Sequence, residues 1–352
     1  MAGMSGPTRV ALALGSGGAR GYAHIGVIQV LEERGHEIVS VAGSSMGAVV
    51  GGLYAAGALD EYTAWVRTLR QRDVVRLLDL KLSAPGAIRA EKILARVRDL
   101  LGDVRIEDLP IPYTAVATDL YARKEVWFQR GPVDAAIRAS IAIPGVITPV
   151  MLNGRLLADG GITNPVPIAP TASAQADVTV GVSLGGETRG LEGGAAVTET
   201  AEARPVEEWT DRFKAGAAQL LDRESVRSLL ARLRAAPGPV EVEDDADADT
   251  VEEVERAAGH ENGANGAGRR RRDDGLDDFD DLPSGMGKMA VMYHSLDAMQ
   301  SVLVRYRLAG YPPDVLITVP RDACRSLEFH RAEEMIALGR ELAERELDKA
   351  GL

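Results

Sequence analysis

The chain has 352 residues, of which 45% are hydrophobic, so it is long enough to bury the core of one large domain or two ordinary ones. Its net charge of −12 comes almost entirely from residues 186–288, which hold 25 acidic and 14 basic residues, against 27 and 26 in the remainder. Because the remainder has no basic excess, a nucleic-acid partner is not expected. The one cysteine, Cys324, excludes an intrachain disulfide and fits a reducing compartment.

Two features of the sequence bear on membranes. The first residues, Met1 to Thr8, are polar and lack an apolar core, so no signal peptide is expected. The most apolar window, Met46 to Leu59, is interrupted by four glycines and is too short to span a bilayer. We therefore expect a cytoplasmic protein, and leave open peripheral contact at the inner face of the membrane.

The first motif along the chain is a glycine loop, Gly15 to Gly21 (GSGGARG), which follows a predicted strand at Val10–Leu14 and opens a helix. Its exposed N–H groups can bind an anion. The loop lacks the Gly-Lys-Ser/Thr ending of a P-loop, and Arg20 stands where a dinucleotide fingerprint needs glycine. An oxyanion hole formed by the amides of Gly17 and Gly18 is favoured. Close packing of helix on strand, with no ligand, is the alternative.

The second motif, Gly43-Ser44-Ser45-Met46-Gly47, lies where the predicted strand Ile38–Ala42 ends and an apolar helix begins. Strand, sharp turn and helix are the setting of a G-x-S-x-G nucleophile elbow, in which a serine hydroxyl is displayed at the turn. The helix points its N-terminal N–H groups at the serine and stabilises negative charge there. Ser45 is therefore the predicted nucleophile, and a glycine-rich turn without chemistry is the alternative.

A nucleophilic serine needs a base, and the five histidines are poor candidates for that role. His294 lies in a Met-rich helical stretch and His330 opens the last amphipathic helix. A triad histidine is usually displayed in a loop beyond a strand, which neither position offers. His24, His36 and His260 are likewise interpreted as ordinary core or surface residues.

A carboxylate is better placed. The short strand predicted at Arg155–Asp159 runs into Gly160 and Gly161, which puts Asp159 at a rigid strand end with small neighbours. Asp-Gly-Gly alone is most often a hairpin turn. Together with the other two motifs it becomes a candidate general base, because partial burial beside an acyl chain would raise the pKa of the carboxyl.

The three motifs, in this order, resemble those of the patatin-like phospholipase family, and most closely its bacterial branch related to neuropathy target esterase. The resemblance implies a Ser–Asp dyad, with Ser45 as the nucleophile and Asp159 as the catalytic aspartate. It covers residues 10–184 without interruption and resumes at about residue 289. The blocks that carry it are LALGSGGARGYAHIGVIQVL, VAGSSMGAVVGG, AVATDL, IRASIAIPG and LLADGGITNPVP, at residues 12–31, 41–52, 115–120, 137–145 and 156–167.

The resemblance also assigns roles in the glycine loop. Gly17 and Gly18 match the oxyanion donors of the family. Ser16 stands where the family usually has glycine, which costs some backbone freedom but leaves both amides available. Arg20 is expected to hold the loop or to meet a lipid phosphate, and a solvated first-turn arginine is the alternative.

Residues 185–288 are interpreted as an acidic insertion between a catalytic core, 10–184, and the C-terminal part of the same domain, 289–352. Within the insertion, 206–235 has an amphipathic helical pattern, interpreted as packing on the surface, with a lid or a membrane-contacting element as the alternative. Residues 237–283 are acidic and then Gly/Asn-rich, and we predict that they are disordered.

Elsewhere predicted strands alternate with helices, which implies a three-layer α/β fold: a mostly parallel central sheet with helices on both faces. Reactive turns then cluster at the carboxyl ends of the strands, where Ser45 and the glycine loop both fall. The remaining predicted strands are Tyr113–Thr118, Glu125–Gln129, Asp177–Leu184 and Asp314–Val319.

These features lead to one hypothesis and two alternatives. The hypothesis is a serine acyl hydrolase that cleaves phospholipid, lysophospholipid or acylglycerol esters, without metal or cofactor and with transient contact at a membrane surface. One alternative is a catalytically inactive lipid-binding or regulatory protein of the same fold. The other is a soluble esterase of the α/β-hydrolase kind, which requires His294 or His330. The lipid class and the oligomeric state stay open at this point.

Overall fold

The computed structural model describes residues 6–77, 91–144, 146–186 and 288–352. All of them belong to one compact unit, formed by Met1–Glu199 and Lys288–Leu352. The amphipathic segment predicted at 206–235 and the disorder predicted at 237–283 lie outside the described residues. The division into core, insertion and C-terminal part therefore stays a prediction.

An eight-stranded sheet forms the centre of the described structure. Its strands are β1 (Arg9–Leu14), β2 (Glu37–Ser44), β3 (Tyr113–Asp119), β4 (Lys124–Phe128), β5 (Val150–Leu152), β6 (Arg155–Asp159), β7 (Val178–Gly186) and β8 (Val315–Pro320). The order is β5-β6-β3-β2-β1-β7-β8, with β4 paired to β3. Five neighbouring strands run parallel to one another, in the order β3, β2, β1, β7 and β8. At the β3 side of the sheet, β4 and β6 each pair antiparallel with β3, and β5 pairs antiparallel with β6. The predicted, mostly parallel sheet is confirmed, and β5 is a strand that the sequence analysis did not predict.

Helices cover both faces of this sheet. They are α1 (Ala23–Glu33), α2 (Met46–Ala55), α3 (Leu59–Arg67), α4 (Gln71–Leu77), α5 (Glu91–Leu101), α6 (Val133–Ser140), α7 (Lys288–Gly310) and α8 (Ala332–Ala350). Side chains alternate along β1, so Leu12 and Leu14 enter the main core with α1, α2 and α8, whereas Ala13 faces the opposite way. On that second face Val304 and Leu308 of α7 pack against the small cluster that contains Ala13. None of the helices in these residues has the length and apolarity needed to cross a bilayer.

Two strands end against the same stretch of β3. β2 runs parallel to β3, and its last residue, Ser44, pairs with Val116. β6 runs antiparallel to β3, and its last residue, Asp159, pairs with Ala117. Because Val116 and Ala117 are neighbours, the carboxyl ends of β2 and β6 meet end to end beside β3. This junction brings together the turn that contains Ser45 and the carboxylate at the end of β6.

Candidate active site

Ser45 occupies the turn between β2 and α2 in a backbone conformation that L residues rarely adopt. Its φ is 55° and its ψ is −121°, and such strain is typical of functional turns. The turn is also tightly packed: a Cβ on Gly43 would overlap the carbonyl of Gly47, and one on Gly47 would overlap that of Leu14. Since α2 begins at Met46, the positive end of its dipole lies beside Ser45.

A buried side chain from α6 fixes the backbone of this turn. The hydroxyl of Ser140 accepts a hydrogen bond from the Ser45 amide at 2.9 Å and donates one to the Val116 carbonyl at 2.6 Å. It thereby ties the turn to β3. The sequence analysis did not single out Ser140, and the only signal for it was its position inside the block IRASIAIPG.

Asp159 is 2% exposed, and its position is fixed by backbone contacts. Its amide donates to the carbonyl of Ala142 at 2.9 Å, and its Oδ1 accepts a hydrogen bond from the Gly161 amide at 2.7 Å. Burial raises the pKa of Asp159 to about 6, while the Ser45 hydroxyl and the Gly161 amide each act to lower it. Oδ2 has no partner within hydrogen-bonding geometry. The Ser45 hydroxyl is thus near enough to influence the carboxyl without completing a hydrogen bond, as is common before substrate binds.

The amides of the glycine loop divide into paired and unpaired ones. Those of Gly15, Ser16 and Ala19 each donate to a backbone carbonyl at 2.8–2.9 Å. Within the described part of the chain, the amides of Gly17 and Gly18 donate to no such acceptor, and both residues are partly accessible. Two adjacent, fixed and unpaired N–H groups are what an oxyanion requires.

A buried histidine fixes the start of the glycine loop. His24 lies in the core, and its Nε2 donates to the Gly15 carbonyl at 2.9 Å. The Ser16 amide, which belongs to the same peptide group, donates to the Pro165 carbonyl at 2.8 Å. Both ends of this peptide are therefore held immediately before Gly17. Burial lowers the pKa of His24 to about 4, so the ring is neutral at neutral pH.

The side chain of Arg20 connects the glycine loop to the segment after β8. Arg20 is 9% exposed, and its Nη1 donates to the carbonyls of Arg321 and Cys324, both at 3.1 Å. The guanidinium is therefore an anchor of the loop rather than a solvated first-turn group.

The three motifs contact one another in pairs, which gathers the predicted site residues into one cluster. In each pair a Cβ added to the glycine would fall too close to a side chain of the other motif. The pairs are Gly21 with Met46, Gly160 with Ser44, and Gly161 with Ser16. The histidines of the triad alternative lie elsewhere in the chain, on α7 (His294) and before α8 (His330). Neither is among the groups that shift the pKa of Asp159.

A mostly parallel α/β sheet with a serine elbow and an Asp-Gly-Gly turn at adjoining strand ends defines a patatin-like protein. The family model for patatin-like phospholipase matches residues 12–172. Uncharacterized NTE family proteins of Mycobacterium bovis and Mycobacterium tuberculosis are each 56% identical to the chain over 345 residues, which is 97% of this chain and 91% of theirs. The chain belongs to the NTE family of patatin-like phospholipases, and the resemblance inferred from its motifs is confirmed.

A more distant relative carries a functional name. A lysophospholipase of Emericella nidulans is 33% identical over 181 residues, which is 50% of this chain and 12% of that protein. The family to which the chain belongs is thus one of lipid ester hydrolases.

Proposed function

We propose that the protein is a serine acyl hydrolase that cleaves lipid esters with Ser45 as the nucleophile and Asp159 as its base. The observation that carries the proposal is the end-to-end meeting of β2 and β6 on β3, which sets a buried carboxyl against a strained serine. A carboxyl with a pKa near 6 is mostly ionised at neutral pH, yet it is a stronger base than an exposed aspartate.

The reaction follows from these groups in two halves. Asp159 takes the hydroxyl proton of Ser45 as Oγ forms a bond to the acyl carbonyl carbon, and the amides of Gly17 and Gly18 donate to the oxyanion. The ester C–O bond then breaks, and the alcohol leaves with the proton from Asp159. In the second half Asp159 deprotonates a water molecule, whose oxygen attacks the acyl carbon. The bond between this carbon and Ser45 Oγ then breaks, Oγ takes the proton back from Asp159, and the fatty acid is released. Phospholipid, lysophospholipid and acylglycerol are the proposed substrates, and the name of the fungal relative supports lysophospholipid among them.

The test compares the purified protein with Ser45→Ala and Asp159→Asn variants. Mass spectrometry of the products from a panel of lipid classes identifies the ester that is cleaved. We expect both variants to lose activity by at least about 10³-fold, because the nucleophile and its base act as a unit. Ser173→Ala, which removes an exposed hydroxyl outside the three motifs, serves as the matched control.

A fluorophosphonate probe distinguishes the enzyme from the inactive alternative. An activated serine should react with the probe in the wild type and in Ser173→Ala, whereas Ser45→Ala should stay unlabelled. Turnover by folded Ser45→Ala protein would refute the assignment of the nucleophile. Lack of both labelling and turnover in the wild type would favour the lipid-binding alternative.

A further inference from the structure

The outward face of α7 is apolar, which is unusual for a surface helix. Five of its side chains, Val291, Met292, Met299, Val302 and Tyr306, are between 42% and 75% exposed. The spacing from Met292 to Met299, Val302 and Tyr306 is seven, three and four residues, so these four follow one stripe of the helix. A surface helix normally turns its apolar stripe toward the core. In α7 a second apolar stripe therefore faces away from it.

Charged side chains on the other side of α7 are tied to the body of the protein. Arg307 forms an ion pair with Glu125 of β4 at 3.1 Å and donates to the carbonyl of Thr163 at 3.1 Å. Asp297, the one carboxylate in the sequence of α7, forms an ion pair with Arg321 at 2.9 Å. Since Thr163 lies on the chain that directly follows the Asp-Gly-Gly turn, these contacts hold the helix beside the candidate active site.

The turn between β3 and β4 lies beside α7 and is itself exposed. Tyr121 in this turn is 73% exposed, and Arg123 and Lys124 are also exposed. The next residue, Glu125, is the partner of Arg307, so the turn adjoins α7. We call the docking surface the outward face of α7 together with this turn. Its members are Tyr121, Arg123, Lys124, Val291, Met292, Met299, Val302, Arg305 and Tyr306.

The chemistry of the docking surface fits one occupant. Exposed methionine, valine and tyrosine side chains suit the boundary between acyl chains and headgroups, and the three cations Arg123, Lys124 and Arg305 complement anionic headgroups. We infer that this surface seats the protein on an anionic lipid bilayer, with the active site beside the membrane. The inference rests on the proposed function, because a lipid ester substrate is what makes a bilayer the partner.

Vesicle flotation tests the inference directly. The full chain carries Ser45→Ala throughout, so that hydrolysis cannot alter vesicles of phosphatidylcholine with or without phosphatidylglycerol. We expect stronger binding to the vesicles that contain phosphatidylglycerol, and weaker binding as salt is raised. Each cation near the surface is worth about a fivefold change in partition, so Arg123→Glu with Arg305→Glu should lower binding by at least about 25-fold.

The apolar part of the docking surface has its own variant. Replacing two inserted side chains, with Met299→Ser and Tyr306→Ser, should lower partition by at least about tenfold, because each loses its burial in the bilayer. Arg72→Glu with Arg76→Glu on α4 is the matched control for charge, since both exposed side chains lie outside the docking surface. Its binding should equal that of the parent protein. Thermal melts verify that each variant is folded. Arg305→Glu alone replaces the charge variant if that is unfolded, and Tyr306→Ser alone replaces the apolar variant.

Each outcome has a defined meaning. Unchanged vesicle binding by both double variants of the docking surface would overturn the inference. The inference would also be overturned if the parent protein sediments as a dimer and these double variants sediment as monomers that still bind vesicles. The occupant of the surface would then be a second copy of the chain. Since binding is measured without turnover, failure of the proposed hydrolysis would show separately, as inactivity of the wild type in the lipid panel.

Discussion

The positive φ of Ser45 is the most demanding feature of the site among single residues. Such a backbone conformation costs roughly 1–3 kcal/mol and persists only where the surroundings over-determine it. Here the hydrogen bond to Ser140, the packing of Gly43 on Gly47 and the start of α2 supply those constraints. These constraints therefore hold the buried hydroxyl at the tip of the turn, near the carboxyl of Asp159.

His24 offers a residue-scale prediction about the glycine loop. His24→Gln retains a side-chain N–H that can reach the Gly15 carbonyl, whereas His24→Leu has a similar volume and leaves that buried carbonyl unpaired. A buried carbonyl left unpaired costs about 1–3 kcal/mol, which here would be lost from the free energy that holds the loop in place. We therefore expect the leucine variant to lose about 5–150-fold in kcat, with little change in KM. The glutamine variant should recover most of the rate. Equal losses of kcat in two folded variants would contradict a positioning role.

At the scale of elements, the local patterns were predictable and their meeting point was not. The elbow and the strands before the first two motifs were predicted because apolar runs and glycines mark them locally. The hairpin of β5 and β6 was missed although Asn153-Gly154 is a turn signal; both residues have positive φ, 50° and 75°. The junction of Ser44 and Asp159 on β3 depends on strand register between distant segments, which no local pattern encodes.

The contact between α6 and the elbow is an example of such a distant relation, and it yields a prediction. Ser140→Ala would leave the buried Ser45 amide without its partner and would remove the hydroxyl that donates to the Val116 carbonyl. We expect the free energy of unfolding to fall by about 1–3 kcal/mol, measured by urea denaturation. Ser295→Ala on α7 removes an exposed hydroxyl that also bonds to a carbonyl, and it should stay within about 0.5 kcal/mol of the wild type. Equal stability of the two variants would show that Ser140 does not support the turn.

At the scale of the whole molecule, the proposed role of Asp159 opposes stability. The three motifs follow β1, β2 and β6, and the sheet brings these strand ends together. Outside residues 186–288 the charges nearly balance, so burial rather than a long-range field dominates the pKa of this carboxyl. The ionised form, which the proposed mechanism uses as the base, is the form that burial disfavours. Activity and stability should therefore depend on this titration in opposite senses.

The stability of Asp159→Asn tests this exchange. Well below pH 4 the aspartate is protonated in both folded and unfolded chains, so its charge contributes nothing to stability. As pH rises from about 4 to 6, the unfolded chain loses its proton first, and the folded state is progressively destabilised. The full effect, at most about 3 kcal/mol for a two-unit difference in pKa, is present above pH 6.

Asparagine keeps the shape of the side chain and still accepts the hydrogen bond from Gly161, but it carries no charge. We therefore expect Asp159→Asn to be about 1–3 kcal/mol more stable than the wild type near pH 7.5, and within about 0.5 kcal/mol of it near pH 4, by denaturant unfolding at both values. Because His24 is unchanged in both proteins, its own titration near pH 4 cancels from the difference. An asparagine variant that is less stable near pH 7.5, or a difference that is the same at both pH values, would contradict a buried ionised carboxyl at this position.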